Sequence, residues 1–157
     1  MSLGPLTRTA KGADAAKACA VLRQSIAELC VADHGNDRSA LERWLANKTP
    51  ENVKTWIEAT SQRVVIVERA GEILGVGAAS AAGEILLNYV SPGARFSGVS
   101  KAILQDLETY MLAQGNKKSF LSSTRTAHRF YKAVGYEDAG QPELWAGMSA
   151  QPMVKWL

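Results

Sequence analysis

The chain has no run approaching the ~20 consecutive apolar residues that a membrane-spanning helix requires, so a helical membrane protein is not expected. Met1-Ser2-Leu3-Gly4-Pro5 carries no basic region followed by an apolar stretch, so no secretory leader is expected either. Cysteine is scarce. Cys19 and Cys30 are the only two, and they fall in one segment of helical pattern, where eleven residues at 100° each return to the same face. They would stand about 16 Å apart along the axis, too far to bridge. Free cysteines on an apolar stripe read as core and fit a reducing compartment, so the expected location is the cytoplasm. His34 and His128 are the only histidines, and neither has Cys, Asp or Glu at ligand spacing, so no metal site is expected. The longest basic run is Lys117-Lys118, which argues against a nucleic-acid-binding arm. Also missing are GxxxxGK-S/T, GxGxxG and GxSxG. Nucleotide P-loops, dinucleotide-binding folds and the nucleophile elbow of Ser-His-Asp hydrolases go with them.

What is present is ordinary globular composition: 157 residues, 46% apolar and 21% charged, which predicts one domain spanning residues 1–157. A domain of this size buries about two-thirds of its unfolded surface and needs no metal or disulfide staple. Eighteen basic against fifteen acidic residues leave +3, a mild excess that suits an anionic small ligand.

Leu6 to Ala10 alternates weakly, as a short first strand would. Asp14 stands as N-cap before a helical pattern whose stripe is Cys19, Leu22, Ile26, Leu29 and Cys30, broken by the polar residues Asp33 to Asp37. A second helical stripe carries Leu41, Trp44 and Leu45. Thr49-Pro50-Glu51 then reads as cap, first-turn proline and acid for a third, with Val53, Trp56 and Ile57 inside. From Gln62 the texture turns to strand. Val64 to Val67, Glu72 to Val76 and Glu84 to Val90 predict a three-strand meander, with Ala70-Gly71 at its first turn. A strong helix follows the loop Ser91 to Gly98, burying Val99, Ile103, Leu107, Tyr110 and Met111 and ending at Gly115. Ser119 to Ser122 reads as a strand, Thr126 to Val134 as a short helix closed by Gly135, and the remainder as one or two strands. This order argues a mixed α/β sheet with helices on its faces.

The chemistry concentrates where the third meander strand meets the long helix. A helix start offers unbonded N–H groups and the positive end of its dipole, which together attract an anion. Small Gly98 and Ser100 admit a phosphate close to the backbone, and Arg95 and Lys101 add charge. By residues alone, an ordinary capped strand-to-helix turn explains this loop equally well. Arg95-x-x-Gly98-x-Ser100 resembles the Q/R-x-x-G-x-G/A acetyl-CoA signature of the GNAT N-acetyltransferase superfamily. Ala127-His128-Arg129-Phe130-Tyr131-Lys132-Ala133-Val134-Gly135-Tyr136 is similar to that family's A-x-x-F/L-Y-x-x-x-G-F/Y element, in the family's order and spacing. The resemblance covers about residues 62–157; the first sixty match only in general layout. Ser100 departs from the usual Gly or Ala, and Thr124 stands where Asn is common.

The resemblance implies a mostly antiparallel mixed sheet flanked by helices, with a splayed parallel strand pair ending near Val90 and Ser122. It implies acetyl-CoA as cosubstrate, its pantetheine bonded by the backbone of Tyr89 and Val90 and contacted by Thr124. The amides of Phe96, Ser97, Gly98, Val99, Ser100 and Lys101, with Arg95 beside them, would hold the pyrophosphate. The implied activity is acetyl transfer to a primary amine, on a small molecule or a protein, by direct attack on the thioester. No membrane or nucleic-acid partner is implied, and a homodimer is compatible. Tyr131 is then the candidate acid for the departing thiolate, its other reading being a core aromatic paired with Phe130. Glu84, opening the strand that carries Val90, is the candidate base; its other reading is a solvated carboxylate, with ordered water taking the proton. His34 is an alternative base on a loop, and His128 reads as surface. Trp44 and Trp56 read as core, one of them optionally lining the acceptor pocket. A rival class is an acyl-CoA-binding sensor without turnover.

Overall fold

Val64 to Val67 becomes the middle of a sheet because both of its faces are covered. The structure is a computed structural model that describes residues 4–157; Met1 to Leu3, part of the stretch read for a leader, lie outside the described residues. Strand β2 (Gln62–Arg69) buries four successive residues. Val65 and Val67 face a core shared with Ile103 and Leu107, while Val64 and Ile66 face another shared with Leu22 and Val53. A strand buried on both faces reads as a continuous apolar run rather than an alternation. Around it lie β1 (Leu6–Thr9), β3 (Glu72–Ser80) and β4 (Ile85–Val90), all antiparallel, in the order β1-β2-β3-β4. The expected meander is present, and Ala70 (φ 51°) and Gly71 (φ 79°) make its first turn.

Helix α1 (Ala15–Leu29) and α4 (Pro50–Glu58) pack on one face of this sheet, and α5 (Val99–Ala113) on the other. A Cβ added at Gly75 or Gly77 of β3 would collide with Ile103, so these glycines let α5 lie directly on the backbone. Ile103, Leu107 and Met111 are wholly buried there, each contributing about 1.5–3 kcal/mol.

The first helix departs from expectation at both ends. Asp14 does not cap α1, because a 3₁₀ turn at Gly12–Asp14 runs straight into it; the carboxylate instead accepts from Lys11 N at 2.7 Å and pairs with Arg8 at 2.9 Å. Cys30 is not within the helix but at a joint, followed by the single turn α2 (Val31–His34), which Gly35 closes at φ 57°. Asp37 and Thr49 cap α3 (Arg38–Leu45) and α4 through Ala40 N and Asn52 N.

A second sheet holds β5 (Lys118–Ser123), β8 (Met148–Trp156) and β6 (Glu137–Asp138) in the order β5-β8-β6, and β7 (Glu143–Trp145) also pairs with β8. Three final strands replace the expected one or two, because β6 and β7 are too short to show a period of two. The two sheets touch through one parallel bridge, Glu84 to Phe120, with Phe120 N donating to Gly83 O at 3.0 Å. Beyond it β4 and β5 diverge. A bulge assists: Ala78 pairs with Leu87 and Ala79 with Ile85, leaving Leu86 as the extra residue that bends β4. The second edge of β4 therefore makes no further strand pairing among the described residues.

Candidate active site

The divergence of β4 and β5 opens a cleft of about 580 Å³. Its floor is the free edge of β4, with Asn88, Tyr89 and Val90 lining it. One wall is the loop Arg95 to Gly98 and the start of α5, and the other is α6 (Arg125–Ala133). Of the residues predicted from sequence, Tyr89, Val90, Arg95, Phe96, Gly98, Val99, Ser100, Lys101, Thr124 and Tyr131 all line this cleft.

Two features make the loop fit an anion. Gly98 sits at φ 82°, a left-handed conformation that a side chain resists, and no side chain caps α5. The first-turn amides of Val99, Ser100 and Lys101 thus have no intrahelical acceptor and point toward the cleft mouth. Phe96 is also left-handed at φ 64° and 91% exposed, with the Arg95 guanidinium 4.6 Å from its ring centre. Ser97 lies outside the lining: its hydroxyl donates to the Ala94 carbonyl instead.

Asn88 went unnoticed in the sequence. Its amide nitrogen donates to Ser100 O at 3.4 Å, while its Oδ1 is buried and has no hydrogen-bond partner among the described residues. A buried orphan acceptor costs about 1–3 kcal/mol and suits a donor brought by a ligand. The free β4 edge asks for the same thing, since its backbone groups can pair with the amides of an extended molecule. These donors and acceptors suit acetyl-CoA in chemistry: an anion beside the start of α5, amide groups along the β4 edge.

Tyr131 stands at the inner end, 6% exposed, its ring edge-on to Phe130 at 5.2 Å and to Tyr136 at 5.5 Å. Burial pushes its phenol up to about 12, with the neighbouring Asn88 side chain partly opposing. It is a packed aromatic and a cleft residue at once. Burial likewise pushes the Tyr89 phenol up and raises the Cys30 thiol to about 12, so Cys30, although it lines the cleft, carries no thiolate at neutral pH. Thr124 caps α6, its hydroxyl accepting from Ala127 N at 3.1 Å, which leaves its proton and one lone pair for a ligand.

Glu84 does not join this group. It lies at the closed end of the strand pair and lines a separate cavity of about 390 Å³ with Lys118, Phe120 and Glu143. Five residues of strand, roughly 17 Å, separate it from Tyr89. His34 is neither on an open loop nor free: it is 3% exposed, with Nε2 2.9 Å from Ile26 O and Nδ1 accepting from Asn36 N at 3.0 Å. Both ring nitrogens are engaged by backbone, because Gly35 folds the chain back over the ring. His128 pairs with Asp138 at 2.7 Å on the half-exposed side of α6. Trp56 packs against the core beneath α1, whereas Trp44 lines a small cavity with Trp145.

A family model described as acetyltransferase (GNAT) domain matches residues 27–157. The fold is similar to that of a GCN5-related N-acetyltransferase from Rhodopseudomonas palustris, with a TM-score of 0.87 at 21% identity over 100% of this chain and 98% of that one. It is also similar to the PaiA N-acetyltransferase from Thermoplasma acidophilum, solved in complex with coenzyme A, with a TM-score of 0.85 at 17% identity over 99% of this chain and 100% of that one. In sequence, an amino-acid acetyltransferase from Pseudomonas fluorescens is 32% identical over 99 residues, which is 60% of this chain. The chain spans 23% of that relative's length.

Proposed function

The chain belongs to the GNAT acetyltransferase family, and on that premise we propose that it transfers the acetyl group of acetyl-CoA to a primary amine by direct attack. The observation that carries this is the joining of an uncapped α5 start, the free β4 edge and Tyr131 in one cleft. The first-turn amides of α5, with Arg95 and Lys101, neutralise the pyrophosphate. Backbone groups of Tyr89 and Val90 pair with the pantetheine as a strand would, and Asn88 Oδ1 accepts one of its donors. So held, the thioester carbonyl lies near the inner end, where the amine nitrogen forms its bond to the carbonyl carbon and the carbon–sulfur bond breaks. Tyr131, protonated at neutral pH, hydrogen-bonds the departing sulfur as charge develops on it, and the released thiolate draws its proton from solvent. The amine proton leaves to solvent, since Glu84 lies outside the cleft and His34 is engaged by backbone.

The test is a thermal shift with acetyl-CoA followed by thiol release over an amine panel. Binding and turnover with at least one amine support the reading. No shift at millimolar acetyl-CoA overturns it, and a shift with no turnover of any amine assigns the protein to acyl-CoA binding alone.

A further inference from the structure

Next to the cleft is a second, smaller cavity of about 160 Å³, bordered by α2, Trp44 of α3, the end of β4 and the β7–β8 hairpin. Tyr89 and Thr124 line both spaces, so whatever occupies the small one lies against the reacting end of the large one. Its walls are mostly apolar, with three aromatics, Trp44, Tyr89 and Trp145, beside Met148, Ala150 and the small polar residues Ser122, Thr124 and Ser149. Trp44 and Trp145 meet edge to face with ring centres 6.0 Å apart, and Met148 closes the bottom at 6% exposure. The hairpin that carries Trp145 turns at Ala146 and Gly147, both left-handed, which folds the indole back toward Trp44.

The charge inside the cavity is more telling than its apolar walls. Asp33 is its only ionisable acid among the described residues, and no Lys, Arg or His lines it. Asp33 is already engaged: it accepts from Arg125 N at 2.6 Å, Thr126 N at 3.2 Å and Thr126 Oγ1 at 2.6 Å, completing the N-terminus of α6. This single carboxylate can face one ammonium at most, so the further ammonium groups of a polyamine have no partner, and no cation is present for the carboxylate of a free amino acid. The size is also restrictive, since an apolar cavity of about 150 Å³ holds one benzene ring.

We propose that this cavity is the acceptor subsite, and that the acceptor is a primary amine borne on one aromatic ring, or on a branched alkyl group of like size, with no second charge. The inference rests on the acetyltransferase reading above. The amine enters uncharged, its apolar body lies against the contacting Trp44 and Trp145 rings, and its nitrogen projects past Tyr89 toward the thioester.

The experiment measures kcat/KM at saturating acetyl-CoA, pH 8, for phenethylamine and 3-methylbutylamine against spermidine and L-glutamate. The apolar amines should lead by roughly 10–100-fold, the penalty for leaving a charge unpaired in the cavity. 2-Phenylethanol, which keeps the body and lacks the nitrogen, should compete with phenethylamine and quench tryptophan fluorescence. Trp145→Ala should raise the KM for phenethylamine at least about tenfold, with the acetyl-CoA thermal shift unchanged; that shift also reports that the variant is folded. Should the variant fail to fold, competition by 2-phenylethanol on the native protein decides alone. Spermidine or L-glutamate as the better substrate overturns the proposal and leaves the acetyltransferase reading standing. So does acetyl-CoA binding with no turnover of either apolar amine, or an unchanged KM in folded Trp145→Ala. Absence of acetyl-CoA binding overturns both.

Discussion

Tyr131→Phe removes one oxygen from the inner end of the cleft and leaves the ring between Phe130 and Tyr136 intact. Among the described residues the core phenol hydrogen bonds are made by Tyr136, to Glu108 and Ser119, and not by Tyr131, so the variant should fold with a melting temperature close to the native one. A general acid is worth 10²–10⁴ in rate, and the structure narrows that range. Burial pushes the phenol up to about 12, whereas an ordinary thiol titrates near 8.5, so complete proton transfer to a thiolate is uphill by about 5 kcal/mol. Tyr131 then acts mainly by hydrogen-bonding the sulfur as charge develops, and the loss should fall near the lower bound, about 10²-fold in kcat. Acetyl-CoA affinity should stay within about threefold.

The same burial predicts the pH profile. A phenol that stays protonated up to about pH 12 adds no descending limb to kcat between pH 8 and 10. Single-turnover thiol release from pre-bound acetyl-CoA measures the chemical step apart from binding. Reduced affinity with unchanged turnover per bound complex would refute the reasoning and leave Tyr131 a packing residue. A descending limb near pH 10 that disappears in Tyr131→Phe would show that the phenol ionises normally and that burial does not govern it.

Gly98→Val should abolish the acetyl-CoA thermal shift: a Cβ there meets nothing within 4 Å, but φ 82° strains a β-branched residue by about 1–3 kcal/mol and displaces the anion-binding amides. In the native protein the shift follows mass action, about 2.7 kcal/mol of stabilisation at a hundred times the dissociation constant. Glu84→Gln should leave kcat/KM within about threefold across pH 7–9; a large loss rescued at high pH would instead make Glu84 the base. Arg8 hydrogen-bonds Asp14 and Glu68 and holds both carboxylates below their usual range, so their contribution is present above about pH 4 and is lost as pH falls through the lowered values. Arg8→Met should therefore flatten the acid limb of stability below about pH 4, measured by urea midpoints, and an unchanged limb would exclude this cluster as its source.

The donor half of the site could be read from the sequence and the acceptor half could not, for a physical reason. An anion site at a helix start is local: Arg95 to Lys101 are consecutive, and the loop that positions their amides is set by Gly98. Tyr131 was legible in the same way, carried on a helix whose cap and closing glycine lie within twelve residues, Thr124 to Gly135. Asn88 escaped notice because its orphaned oxygen arises only when β5 turns away from β4, and a bulge at Leu86 has no mark in an apolar strand. Asp33 and His34 looked like loop residues, although Asp33 completes a helix ninety-two residues further on and His34 is bonded on both nitrogens. The small cavity combines these distant pieces: Asp33, Trp44, Tyr89, Ser122 and Trp145 meet only after α2, α3, β4, β5 and the last hairpin have packed. A donor common to a family can be held by a short local motif, whereas the proposed acceptor pocket, assembled from five separate segments, changes whenever any one of them does. Substitutions at Trp44, Trp145 and Met148 should accordingly change which amine is used before they change whether acetyl-CoA binds.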